Sequence, residues 1–342
     1  MTTSRSRTAP HGSADSGAQY FTDPSPSASS SASSSPFLSA LVDARVLEPL
    51  CGELVGERVP DLSSAAPGTL PPRHYVARAG ASSVPKHALH AQSRASLHTA
   101  RRLVALERSP CGRQWVATAE GDGDNAAASS LFDAVVLTLP APQVLQLRLG
   151  DALTGASGSS ALADALRRVQ YSSRYAQTCY YAADAAEALG AALPWTGWYV
   201  GRERSAVIRY ISFDARKRGV LGVAGASPAL VVHSSVEFGA AHVDAPDTAA
   251  VERALIDELR RLLPALPAPI ETRCHKWRYS QVTRGIHDDG RGEAAVLASA
   301  DGAPPLVLAG DYFTASNLLG CVASADCAGA LVAAALRSSA RL

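Results

Sequence analysis

Cys-x-x-Cys is absent from the sequence, and its six cysteines, Cys51, Cys111, Cys179, Cys274, Cys321 and Cys327, show no His/Cys spacing of the kind that holds zinc. A disulfide scaffold and a zinc site are therefore set aside, and a reducing compartment fits. Methionine occurs once, at position 1. Net charge is nearly absent too, at +1 with 18% charged residues, which leaves no basic footprint for nucleic acid. No apolar run is read as reaching the roughly 18 residues of a membrane span. Arg5 and Arg7 stand near the N-terminus without an apolar core behind them, so no signal peptide is expected. These absences point to a cytoplasmic protein with no metal, nucleic acid or membrane partner. Gly-x-Gly-x-x-Gly does not occur among the 26 glycines either, which excludes the usual phosphate-binding turn of a dinucleotide fold.

What is present is length and apolar residues: 342 residues, 47% hydrophobic, enough for two domains or one large α/β unit with an insertion. The chain is organised around Leu306–Leu331. Leu306 to Ala309 reads as a buried strand, Gly310-Asp311 breaks it, and a loop runs to Gly320. Cys321 to Leu336 reads as a packed helix, with Cys321 and Cys327 as buried thiols. Two readings stand. A strand, a Gly-Asp and a helix start can seat a phosphate or polyol, because the first N–H groups of a helix are unpaired. Asp311 would then accept hydrogen bonds from sugar-like hydroxyls. Alternatively, a core strand turns into a core helix with an Asp cap.

The remaining pattern is mixed α/β. Residues 24–36 are a Ser/Pro/Ala tract expected to be disordered. Helical spacing runs from Phe37 to Leu47, Leu50 to Leu70 reads as loop, and His74–Ala77 reads as a short strand. Pro85 suits a first helical turn, with Lys86 and His87 on the solvated side. Residues 95–147 read as strands, with a hairpin tip over 119–130 and a buried strand from Phe132 to Pro140. Leu162–Val169 and Val251–Leu263 read as helices, the second ended by Pro264. Tyr171–Ala182, Ile208–Ser212 and Leu230–Val236 read as strands, which makes 160–285 a mixed-sheet domain. Tyr75 and His233 are ordinary strand residues on this reading.

Five separated stretches resemble the renalase branch of the flavin amine oxidase superfamily, in that family's order. They are Met1-Thr2-Thr3 with Asp15-x-Gly17-Ala18-Gln19-Tyr20-x-Thr22; Gly80-x-Ser82-Ser83; Tyr171-Ser-Ser-Arg174-Tyr175-Ala176; Lys276-Trp277-Arg278-x-Ser280-Gln281-Val282-Thr283; and Gly310-Asp311-Tyr312-Phe313-Thr314-x-Ser316-Asn317-x-x-Gly320-Cys321. The resemblance implies FAD as cofactor. It carries Thr3, Gly17, Ala18, Gln19, Tyr20, Leu103, Gly310, Asp311, Phe313, Ser316, Asn317, Gly320 and Cys321 over as cofactor-binding positions. Ser316 and Asn317 also read as loop-capping groups. Arg174, Trp277 and Gln281 are the candidate substrate-pocket residues. For Trp277 a core position stands beside that reading, and for Arg174 a structural ion pair.

The implied architecture is a Rossmann-like FAD domain with an amine-oxidase-like mixed-sheet substrate domain. Segments 1–23, 37–147 and 285–342 are assigned to the FAD domain, 24–36 to a low-complexity linker and 148–284 to the substrate domain. In the family the Met-Thr-Thr run follows a first strand, a Gly-rich turn, a helix and a second strand. Here it stands at residue 1, so the FAD domain is expected to be truncated, leaving an unpaired sheet edge. The implied activity is oxidation of dihydronicotinamide isomers of NAD(P)H to NAD(P)+, with O2 reduced to H2O2. No catalytic side chain is nominated, since the flavin N5 accepts hydride and the protein positions the donor. Amine oxidation is one alternative; an inactive fragment unable to hold FAD is another.

Overall fold

The computed structural model describes residues 1–9, 12–24, 35–57, 71–91, 94–121, 128–149, 159–223, 226–287, 292–298 and 303–339. Most of the Ser/Pro/Ala tract, much of the 50–70 stretch and the centre of the 119–130 hairpin lie outside these residues.

In chain order the first elements are β1 (Thr3–Arg5), β2 (Ser13–Asp15), β3 (Phe21–Asp23), α1 (Pro36–Asp43), β4 (Glu48–Pro49), β5 (Leu54–Gly56), β6 (Arg73–Val76) and α2 (Ser83–Ala91). Next come β7 (Arg101–Arg108), β8 (Trp115–Gly121), β9 (Ala128–Phe132), β10 (Val135–Leu137), α3 (Ala141–Val144) and α4 (Ser159–Arg168). They are followed by β11 (Gln170–Tyr180), α5 (Ala186–Ala192), β12 (Gly197–Tyr199), β13 (Ile208–Phe213), α6 (Asp214–Lys217), β14 (Ala229–Ser234), α7 (Val236–His242), α8 (Ala249–Leu262) and β15 (Glu271–Arg284). β16 (Ala295–Leu297), β17 (Leu306–Ala309) and α9 (Leu318–Ser339) come last.

Contacts divide the chain into two units: Met1–Ala95 with Ser172–Ser280, and Ser96–Tyr171 with Gln281–Leu342. The division expected from sequence groups 1–23 and 37–147 with 285–342 instead. Within the first unit, β5 pairs with β12 and the last residue of β2, Asp15, is buried against Lys217 and Arg218. That ionic attachment fastens the N-terminal segment to the 172–280 half.

The first unit is built on a six-stranded mixed sheet in the order β15-β11-β14-β13-β12-β5. β11, β14, β13 and β12 pair antiparallel, and β5 joins β12 in parallel with Leu54 opposite Gly197. β5 falls where the sequence reads as loop. It has only three residues, too few to show a period, and it ends at Gly56 with φ +97°. A Cβ there would overlap the Tyr199 carbonyl oxygen. On α8, Val251, Leu255 and Leu259 recur every fourth residue and bury one face among Tyr175, Ile211, Phe213, Leu230 and Val232. Each such side chain contributes about 1.5–3 kcal/mol by burial. α1 begins one residue earlier than its apolar spacing suggests, because Ser35 caps it and Pro36 occupies the first turn. It stops at Asp43, short of the expected Leu47.

The second unit holds two three-stranded sheets, β10-β17-β16 and β7-β8-β9. β17 is buried throughout, as its apolar run requires, between parallel β10 and antiparallel β16. The single strand expected from Phe132 to Pro140 is two. Asp133-Ala134 breaks it, β9 pairs with β8, and β10 pairs with β17. Trp115 is 1% exposed, and its indole N–H reaches the carbonyls of Pro304 and Pro305, both at 3.1 Å. α9 packs as expected, Ala328 being buried against Ala295, Val307 and Ala309 with Leu331 and Val332 beside it, but the expectation of buried thiols is corrected: Cys321 is exposed and Cys327 half-buried. Alanine suits either face, so its apolar character says little about which face is covered. Leu318–Ser338 also has the length and composition of a membrane-crossing helix, contrary to the expectation that no stretch does.

Candidate functional site

The candidate residues of the first unit meet around Asp15. Thr3 Oγ1 donates to Asp15 Oδ1 at 2.9 Å, and the Ala81 N–H reaches the same oxygen at 2.7 Å. The Ser82 N–H returns to Thr3 Oγ1 at 3.1 Å. Gly80 makes this closure possible. Its φ is +95°, and a Cβ there would fall 2.5 Å from the Thr3 hydroxyl oxygen. The Gly-x-Ser-Ser turn therefore closes on Thr3, whose hydroxyl is committed inside the protein.

Asp15 also belongs to a buried ion cluster that sequence reasoning missed. Lys217 Nζ lies 3.4 Å from Asp15 Oδ2 and 2.8 Å from Asp214 Oδ1. Arg218 Nη2 lies 3.0 Å from Asp15 Oδ2 and 2.8 Å from Asp214 Oδ2. All four side chains are no more than 3% exposed. Burial alone would raise the Asp214 pKa, but the adjacent Lys217 and Arg218 charges outweigh it and hold the carboxyl below its usual range. Asp214 and Lys217 are three residues apart on α6, a helical spacing, yet no local pattern marks them as partners of Asp15, some 200 positions away. A cleft of about 220 Å³ lies beside the cluster, lined by Ser13, Asp214, Arg218, Val220 and Ser227 among others.

Past Asp15 the chain turns outward. Gly17 is half-buried and Ala18 exposed, while the Gln19 side chain turns back inward. Its amide nitrogen donates to the Asp15 and Gly17 carbonyls and lies 3.2 Å from His233 Nε2, and its oxygen accepts from Lys217 Nζ at 3.2 Å. The Tyr20 and Tyr199 hydroxyls bond each other. Tyr199 packs on Tyr210 at 4.6 Å, and Tyr210 stands edge-on to His233 at 6.1 Å between centroids. His233, read from sequence as an ordinary strand residue, is pushed down to about 3 by burial and by the Arg174 and Lys217 charges, so its ring is neutral at physiological pH.

Trp277 closes on the same segment. Its Nε1 donates to the Ser16 carbonyl at 2.8 Å, and a Cβ on Gly17 would meet its ring at 3.3 Å. The indole is half-buried, with His275 packed edge-on at 4.3 Å. Arg174, half-buried on β11, reaches the Ser234 carbonyl at 3.4 Å. Of the three proposed substrate residues, Arg174 and Trp277 lie in the first unit and Gln281 in the second.

The second unit carries the loop after β17. Gly310 has φ +149°, and a Cβ there would stand 2.9 Å from the Tyr312 ring. Asp311 is half-buried, and its Oδ2 accepts from Ser316 Oγ at 2.7 Å. The same hydroxyl accepts from the Val282 N–H at 2.7 Å, tying the loop to β15. Asn317 Oδ1 accepts from the Gly320 N–H at 2.8 Å, which makes Asn317 the N-cap of α9. A Cβ on Gly320 would collide with the Ala315 carbonyl oxygen. Phe313 is a core residue, 4% exposed and packed on Tyr312. Leu103 sits half-buried on β7 beside a bulge, where Val104 leaves the β8 ladder and its carbonyl accepts from the Arg148 N–H.

Residues 11–337 match the family described as flavin containing amine oxidoreductase, and the chain belongs to that family. Membership brings FAD as the cofactor. Within the family the chain is similar to renalase of Mus musculus, 37% identical over 201 residues that cover 59% of this chain and 54% of the relative. The match thus spans about half the length of that relative. Among solved structures, the putative protoporphyrinogen oxidase from Exiguobacterium sp. 255-15 superposes with TM-score 0.55 at 17% identity, covering 78% of this chain and 53% of that one. Cyclohexylamine oxidase from Brevibacterium oxydans IH-35A superposes with TM-score 0.49 at 17% identity, covering 75% and 53%.

The loop chemistry fits the polyol part of such a cofactor. Asp311 keeps Oδ1 clear of the Ser316 bond, on a half-buried side chain that follows Gly310. The sequence supplies no Gly-x-Gly-x-x-Gly for the pyrophosphate.

Proposed function

We propose that this chain is a renalase-like FAD-dependent oxidase that returns dihydronicotinamide isomers of NAD(P)H to NAD(P)+, with O2 reduced to H2O2. The observation that carries the reading is the closure of Trp277 on Ser16–Gly17, which joins two family-like stretches through a hydrogen bond and a ring contact. FAD, when bound, supplies the hydride acceptor and passes the electrons to O2.

The protein's part is positional. The Gly17–Ala18 backbone offers a surface without bulky side chains, and Trp277 supplies an aromatic wall beside it. His233 stays neutral and adds no charge beside Gln19. On the second unit, Asp311 is proposed to accept hydrogen bonds from the flavin's ribityl hydroxyls, with Ser316 holding the carboxylate. Arg174 and Gln281 remain the proposed polar anchors for substrate. The functional division into FAD-binding segments (1–23, 37–147 and 285–342) and a substrate domain (148–284) belongs to the same proposal. Six free cysteines support placement in a reducing compartment such as the cytoplasm.

The test is the visible spectrum of the purified chain after incubation with FAD, followed by peroxide release with NAD(P)H isomers and with amines offered separately. Retained flavin and peroxide from the isomers alone support the proposal. Peroxide from amines alone favours amine oxidation, and a colourless protein shows that the chain by itself does not hold FAD.

A further inference from the structure

The Lys217–Gln19–His233 chain has a direction of hydrogen-bond donation that its chemistry leaves no freedom to reverse. A lysine ammonium has three protons and no acceptor. Lys217 Nζ faces three acceptors: Asp214 Oδ1 at 2.8 Å, Asp15 Oδ2 at 3.4 Å and Gln19 Oε1 at 3.2 Å. The Gln19 amide is thereby oriented. Turning it over would place its NH2 against the ammonium and its oxygen against the Asp15 and Gly17 carbonyls. With the amide so held, Nε2 has two protons: one is shared between the two carbonyls, and the other is left for His233 Nε2, 3.2 Å away. A proton on His233 Nε2 would face an N–H donor.

We propose that Lys217 is a positioning residue that, through Gln19, holds His233 as the neutral tautomer protonated on Nδ1, with the Nε2 lone pair committed to the Gln19 amide. His233 then cannot take up a proton at Nε2 without breaking the chain. The inference goes beyond the proposed oxidase activity and does not rest on it, because every atom involved lies in the first unit and no cofactor enters the argument.

The test is nitrogen NMR of the full chain labelled with 15N-histidine, with the His233 signals identified by their loss in His233→Asn. The expected wild-type pattern at neutral pH is one bare Nε2 and one protonated Nδ1. Lys217→Arg, which also has only donors, keeps that pattern. Lys217→Met, read where its circular dichroism is native, loses it to a mixture dominated by the Nε2–H form. Gln19→Glu presents only acceptors and moves the proton to Nε2, which keeps the proposal testable should Lys217→Met fail to fold. A wild-type ring protonated on Nε2, or an unchanged Nδ1–H pattern in folded Lys217→Met or in Gln19→Glu, overturns it.

Discussion

Trp277 donates its indole N–H to the carbonyl of Ser16 at 2.8 Å, and its ring stands where a side chain on Gly17 would have to go. Ser16 is 2% exposed, so that carbonyl has little access to water as a substitute. Trp277→Phe should therefore cost about 1–3 kcal/mol, the penalty for stranding a buried polar group. Urea unfolding of the two proteins checks this. A cost near zero would place Trp277 outside the framework that fixes the Gly17 turn.

The four-ion cluster predicts a steep asymmetry. Lys217→Met removes a buried ammonium and leaves Asp15 and Asp214 facing Arg218 alone, which should cost about 3–5 kcal/mol. Lys217→Arg should cost less, because a guanidinium still donates to both carboxylates. The cluster also acts on acid stability. The Asp214 carboxyl is held below its ordinary range, so its contribution is present above about pH 4 and is lost as pH falls towards the folded-state pKa. Equilibrium unfolding down the acid limb should show a shallower pH dependence in Asp214→Asn than in wild type.

His233 predicts a second pH effect of defined sign. Its folded pKa is about 3, below an ordinary value of 6.5. Between those values the unfolded chain binds the proton and the folded chain does not, so stability rises with pH. The slope from this residue is at most about 1.4 kcal/mol per pH unit, and the contribution is complete above the unfolded value. His233→Gln should remove that slope. Unfolding free energies measured across the interval decide it, and an unchanged slope would show that His233 titrates normally.

Asn317 separates capping from cofactor contact. Its Oδ1 caps α9 through the Gly320 N–H, so Asn317→Ala should cost about 1 kcal/mol and speed amide exchange in the first turn of α9. Asn317→Asp should restore both. A purely capping role also predicts that FAD affinity in Asn317→Asp matches wild type. A drop in affinity with α9 intact would instead mark Asn317 as a cofactor contact.

Some elements are legible in the amino-acid sequence and others are not. The buried strand at Leu306–Ala309 announces itself by an apolar run ended at Gly-Asp, and α8 by apolar residues four apart with Pro264 behind it. β5 is not legible, since three residues carry no period and it is a strand only because β12 lies beside it. Nor is the exposure of α9, whose alanines do not distinguish a covered face from an open one. Ser316 and Asn317 carry two readings from sequence; in the loop Ser316 bonds Asp311 and the Val282 N–H, and Asn317 caps α9.

The motifs in the sequence alone were enough to point to the family and, through it, to the flavin. Each of those signals lies within about two dozen residues of chain. Tertiary structure decided which side chains serve the site from behind. Asp15 meets Lys217 and Arg218, Gln19 meets His233, and Gly17 meets Trp277, all across separations of some 200 residues or more. No periodicity links such positions. A buried ammonium finds its partners only when folding removes water from all of them together, and that requirement is met in three dimensions rather than along the chain.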